Sequence, residues 1–136
     1  MSKQTLSIEQ MQHLQELGME LKKDTILVWA RFMLGKTQIS DWEIAYNHSA
    51  ITDNSQTIPA YTLQDVLDAL PDFIGDYCPI IDISFGIIRY DNLKRNDSPI
   101  LKEIYFNDED KYLIDAAYEL LVWAIEQDYI ETNKNE

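Results

Sequence analysis

The chain has 136 residues, 46% of them hydrophobic and 11% aromatic, enough for one domain of the roughly 100 to 200 residues that commonly share a core. With 24 acidic against 11 basic residues its formal charge is −13, which repels the phosphate backbone and argues against direct DNA or RNA binding. A single cysteine, Cys78, excludes an internal disulfide and leans towards a reducing compartment, and no apolar run reaches the about 18 residues of a membrane span.

The opening "MSKQTLSIEQMQ" has no apolar core of the signal-peptide kind, so a cytoplasmic protein is expected, with disordered tails at 1–5 and 131–136. Ser7 stands where an N-cap belongs, Gln10 completes a capping box, and Leu6 and Met11 are spaced as a hydrophobic staple. Gly18 marks the stop of a helix running from about Ile8 to Leu17, with Leu14 and Met19 placed for the contact that accompanies such an ending.

"TILVWARFML", residues 25–34, is rich in β-branched and aromatic residues. "GKTQ" can turn it into "ISDWEIAYN", and the pair reads as a β-hairpin. In the second strand Ile39, Asp41, Glu43 and Ala45 fall on one face, and Ser40, Trp42, Ile44 and Tyr46 on the other. "HSAITDNSQTIP", 48–59, is polar and without period, and is expected to be a mobile loop.

"YTLQDVLDALP" repeats the punctuation of the first helix, with Thr62 as N-cap, Asp65 at the third helical position and Pro71 as the stop. The run "PIIDISFGIIRY" reads as one long strand, or as two short ones broken at Gly86. "DNLKRNDSP" then turns the chain and "ILKEIYF" returns it. The last helix is expected after "NDED", capped by Asn107 or Asp108.

In "YLIDAAYELLVWAIEQDYI" a helical wheel of about 100° per residue puts Asp115, Glu119 and Glu126 on one stripe, with Val122 among them and Trp123 at its margin. The rest of the circumference is apolar. The carboxylates rule out a bilayer role, because each costs several kcal/mol near mid-membrane. A buried core helix is expected instead. The fold class is therefore α+β, a single domain in α-β-β-α-β-β-α order. An antiparallel sheet of about four strands packs against a central C-terminal helix and two shorter helices. The similar openings "LSIEQ" and "YTLQD" also fit an internal duplication, although two good caps explain them more simply.

Charge is uneven along the chain. Between Thr37 and Ile88 there is no Lys or Arg against Asp41, Glu43, Asp53, Asp65, Asp68, Asp72, Asp76 and Asp82, and Glu103–Glu136 has ten acids against Lys111 and Lys134. Such segments solubilise a protein, attract a basic partner or imitate DNA.

The usual catalytic constellations are missing. Four glycines form no phosphate loop, and no Cys or His spacing suits zinc. His13 and Cys78 read as packing or boundary residues. His48 beside Ser49 and Asp53 is the best candidate for a reactive group. Asp41 with Glu43, and Asn107–Asp110, gather oxygen ligands without matching a calcium loop. No catalytic, cofactor or metal residue is assigned. Candidate interface residues are Trp42, Tyr46, Val122, Trp123, Asp115 and Glu119, drawn from an aromatic-rich set that also includes Trp29, Tyr61 and Tyr105.

Through "LSIEQMQHLQELGME", "IPAYTLQDVLDALPDFI" and the final "IDAAY" helix, the chain resembles a group of small acidic proteins of gut Bacteroides-type bacteria, often encoded near prophage or mobile-element genes. The resemblance covers most of the chain through packing and capping motifs. It implies an intracellular accessory protein and brings no functional residues with it. The function expected is a non-enzymatic interaction module with a protein partner, basic in character, or a second copy of itself. The alternatives are an acidic inhibitor that mimics DNA or neutralises a toxin, and a small enzyme using the His48 loop.

Overall fold

The computed structural model describes residues 3–50, 54–94, 100–106 and 111–132, with Ser49 and Ala50 to the backbone alone. Helix α1 spans Ile8–Glu16. Its capping box is formed in both directions: the Gln10 N–H donates to Ser7 Oγ at 3.1 Å, and Gln10 Oε1 accepts from the Ser7 N–H at 2.9 Å. Leu6 and Met11 are fully buried as the staple requires. The helix ends with Gly18 at φ 89. There the Met19 N–H reaches the Leu14 carbonyl and the Gly18 N–H that of Gln15, the paired bonds of a Schellman stop.

Strand β1 (Leu27–Leu34) pairs antiparallel with both β2 (Thr37–Gln38) and β3 (Glu43–Tyr46), so the returning arm of the hairpin is interrupted at 39–42 where a single strand was expected. A four-residue helix α2 (Asn47–Ala50) follows. The stretch expected to be a loop then supplies β4 (Ser55–Pro59), paired with β1 from Val28↔Pro59 to Phe32↔Ser55. Only Ile58 of β4 is buried, so the strand owes its conformation to its partner and not to an apolar run. The expected partner of His48, Asp53, lies outside the described residues, as does the side chain of Ser49.

Helix α3 (Leu63–Ala69) has the expected Thr62 and Asp65 capping box, and Leu70 turns extended before Pro71. β5 (Cys78–Asp82) and β6 (Ile87–Asp91) are two short strands, as a break near Gly86 allows, and β7 (Ile100–Tyr105) pairs with β6. Asp82 holds the intervening turn by accepting from Ser84 Oγ at 2.8 Å and the Phe85 N–H at 3.2 Å. The Ser84 hydroxyl is the main reason its carboxyl is held below the usual range, assisted by the Phe85 amide and Arg89 against some desolvation.

The architecture is α+β and antiparallel, with its strands divided between two sheets rather than gathered in one of about four. β4 takes the edge of β1 that β3 leaves free, and β5, β6 and β7 pair among themselves.

Helix α4 spans Leu113–Glu126 and carries the centre of the core: Ala116, Ala117, Leu120, Leu121 and Ala124 are fully buried. It packs on α3, β6 and β7. Its N-cap is Tyr112, without a side-chain cap bond, rather than the expected Asn107 or Asp108; residues 107–110 lie outside the described residues. Of the expected tails, Thr5 forms a bridge with Thr62 and Lys3 reaches α4, while residues 1–2 and 133–136 lie outside the described residues.

Candidate functional site

Strand periodicity assigns the faces of the first sheet. Leu27, Trp29 and Arg31 share one face with Ile44, Tyr46, Gln56 and Ile58. Trp29 and Ile58 turn this face into the core, and Trp29 Nε1 donates to the Leu6 carbonyl at 3.0 Å. Towards the β3 edge the same face is open. Ile44 and Tyr46 are exposed there, and with Gln4, Ile26, Leu27 and Ala45 they line a hollow of about 280 Å³.

The opposite face carries Val28, Ala30, Phe32 and Leu34. Val28 is buried. Phe32 and Leu34, nearer the hairpin tip, are 54% and 69% exposed. The β1–β2 register, continued by the Ile39 N–H donating to the Phe32 carbonyl at 3.0 Å, sets Ile39 opposite Phe32, and Ile39 is 60% exposed. Three large apolar side chains thus stand side by side in solvent at the end of one hairpin, whose turn is made by Gly35 at φ 60.

The six candidate interface residues fall in two places, at β3 with the residue before it and on α4. Trp42, just before β3, is half-buried under the Arg31 guanidinium, whose carbon lies 4.4 Å from its ring centroid. Tyr46 is exposed, its ring 5.9 Å from that of His48. Val122 and Trp123 of α4 are half-buried against the core, and Trp123 lies between Tyr90 and Tyr129 at 6.0 and 5.4 Å. The fold itself therefore covers the margin of the acidic stripe.

Two of the stripe's three carboxylates have internal partners as well. Asp115 takes Lys3 at 2.6 Å and Gln10 Nε2 at 3.0 Å, and Glu119 takes Lys111 at 2.6 Å. Elsewhere Arg89 joins Asp91 at 2.8 Å and Asp82 at 3.4 Å on the second sheet. His13 is bound through Nδ1 to the Tyr118 hydroxyl, which ties α1 to α4.

A groove of about 570 Å³ lies between the segment Met19–Asp24, helix α3 and the chain beyond α4 at Ile130 and Glu131. Among the described residues no three His, Cys, Asp or Glu side chains gather as a metal site, and no helix is long and apolar enough to cross a membrane.

Sequence reasoning missed Phe32, Leu34 and Ile39 because strand alternation shows which residues share a face and not which end of that face is covered. The groove left no linear signal, since its walls come from three separate stretches of chain. No protein-family model, curated protein or solved structure matches the chain.

Proposed function

We propose that the protein is a non-enzymatic interaction module that binds a basic protein partner through the apolar end of its first sheet. The observation that carries this reading is the exposure of Phe32, Leu34 and Ile39 together at one hairpin tip. Clustered apolar side chains in water favour burial in a complex, where each contributes in proportion to the area it loses to solvent. A net charge of −13 speeds encounter with a cationic partner and opposes a second copy of the same chain.

The acidic-inhibitor alternative draws less support. Asp82 and Asp91 share Arg89, Asp115 pairs with Lys3 and Glu119 with Lys111, so three of these four negative charges are offset within the fold and add less to a phosphate-like surface.

The test is affinity purification from the native host with the wild type and with Phe32→Asp/Leu34→Asp, followed by reconstitution with the purified partner. A partner bound by the wild type and lost by the variant, with affinity falling as salt rises, supports the reading. Equal retention by both proteins, or no reproducible partner, overturns it.

A further inference from the structure

Strand β3 is an outer edge of the first sheet. The Asn47 N–H donates to the Ile26 carbonyl at 2.9 Å and the Ile39 N–H to that of Phe32 at 3.0 Å, so the even-numbered residues of β1 are the ones bonded on this side. Antiparallel pairing then has Val28 and Ala30 exchange bonds with Ala45 and Glu43. The N–H and C=O of Ile44, between those two, point away from β1, and no described residue meets them. The opposite edge is less available: β4 ends on Pro59, which has no N–H, and lies beside α1.

The side chains flanking this free edge differ on its two faces. Ile44, 42% exposed, stands between two hollows: the one of about 280 Å³ that it shares with Ile26 and Tyr46, and another of about 390 Å³ towards residues 3–5 and Trp29. On the reverse face Glu43 is exposed, with Asp41 two residues earlier. Neither carboxylate has a cation beside it among the described residues.

We propose that the β3 edge takes up an extended segment of a protein partner as a further strand, one in which apolar and basic residues alternate. The residue opposite Ile44 exchanges both backbone bonds with it and lays an apolar side chain over the hollows. Its neighbours turn to the other face, where a lysine or arginine stands across from Glu43. Charge selects this occupant over a second copy of the chain, since each copy brings −13 and the same Asp41 and Glu43 to the contact. None of Phe32, Leu34 and Ile39 is needed, so the edge and the hairpin tip succeed or fail as binding surfaces separately.

The test is a nuclear magnetic resonance titration of the whole chain with a short N-acetylated, C-amidated peptide of alternating valine and lysine, followed by amide hydrogen exchange. Saturable shifts are expected at residues 43–46 and at Gln4 and Ile26. The Ile44 amide is expected to exchange about tenfold more slowly near saturation. N-methylation of the valines, which removes the backbone donors facing β3, is expected to weaken binding about tenfold without touching the protein's fold. Glutamate in place of lysine is expected to abolish it. Glu43→Lys is expected to weaken binding about tenfold, while Asp68→Lys, at an exposed position on α3, and Phe32→Ser/Leu34→Ser leave it unchanged. Absence of binding, shifts centred away from β3, or an Ile44 amide that is no slower overturns the proposal. So does equal binding of either control peptide, an equal loss in Glu43→Lys and Asp68→Lys, or a chain already dimeric with its Ile44 amide protected before peptide is added.

Discussion

Lys3 Nζ lies 2.6 Å from Asp115 Oδ1, joining the first described side chain to the opening turn of the last helix. Gln10 completes the arrangement. Its Nε2 donates to the same carboxylate oxygen at 3.0 Å, while its Oε1 accepts from Lys3 at 2.8 Å and from the Ser7 N–H at 2.9 Å. The residue that caps α1 therefore also anchors α1 to α4, and Asp115 serves the positive end of the α4 dipole as well.

This relation makes stability depend on acid. Burial alone raises the Asp115 pKa, but the hydrogen bonds from Lys3 and Gln10, with the nearby charges of Lys3 and Lys111, outweigh it and hold the carboxyl below its ordinary value. Its contribution is thus complete above the unfolded value of about 3.9 and is lost as pH falls through the lower folded value. Asp115→Asn is expected to cost about 1 kcal/mol at neutral pH, the upper end for a partly exposed pair. It should also flatten the loss of stability below about pH 4. Urea unfolding across the acid range measures both. The lowered Asp82 adds a loss of the same sign in both proteins, so the difference between the two profiles is what decides.

The tyrosines act at the other end of the pH scale. Tyr90 is fully buried and donates its hydroxyl proton to the Pro71 carbonyl at 2.8 Å. Burial foremost, and then Asp72, pushes its pKa far up; burial does the same to Tyr61 and Tyr118. Their folded values lie above the unfolded value of about 10, so the stability they contribute is complete below about pH 10 and lost as pH rises further. Ultraviolet titration is expected to show phenolate forming late and together with unfolding. Tyr90→Phe, which removes the bond to Pro71, is expected to cost about 1 kcal/mol at neutral pH and to lessen the alkaline loss.

Much of this fold was legible where the physics is local. Ser7 with Gln10, Thr62 with Asp65, and Gly18 before Met19 each satisfy backbone groups within a turn of themselves, so the sequence alone locates α1 and α3. The apolar circumference of α4 has the same quality, because a helix apolar on nearly every side must be covered. β4 was not legible: Gln56 and Thr57 are exposed and only Ile58 is buried, and pairing along β1 is what makes the segment a strand. The surfaces were hidden for a related reason. Val28 and Phe32 share a face of β1, yet one is buried and the other bare, and only the reach of distant chain segments decides which.

Asp128 offers a test of local strain. It stands at φ 63, the one non-glycine residue with positive φ among the described residues. It closes α4 in the position that Gly18 occupies after α1: the Tyr129 N–H reaches the Ala124 carbonyl, and its own N–H reaches that of Ile125. A side chain is strained there, and its negative charge faces the negative end of the helix dipole. Asp128→Gly is expected to raise stability by about 0.5 to 1 kcal/mol in urea unfolding. An unchanged or lowered midpoint denies that this ending is strained.

Core and surface apolar residues should separate sharply when truncated. Leu120 is fully buried at the centre of α4, so Leu120→Ala removes packing and leaves a cavity, with an expected cost of about 2 to 5 kcal/mol. Phe32 and Leu34 are of similar hydrophobicity but stand mostly in solvent. Phe32→Ser/Leu34→Ser is expected to shift stability by no more than about 0.5 kcal/mol per site while abolishing capture of the partner. A loss of several kcal/mol in the double serine variant, measured by urea unfolding, means that the hairpin tip supports the fold and is not held free for binding. Near-native stability together with lost binding fits only a surface whose apolar groups are kept for another molecule.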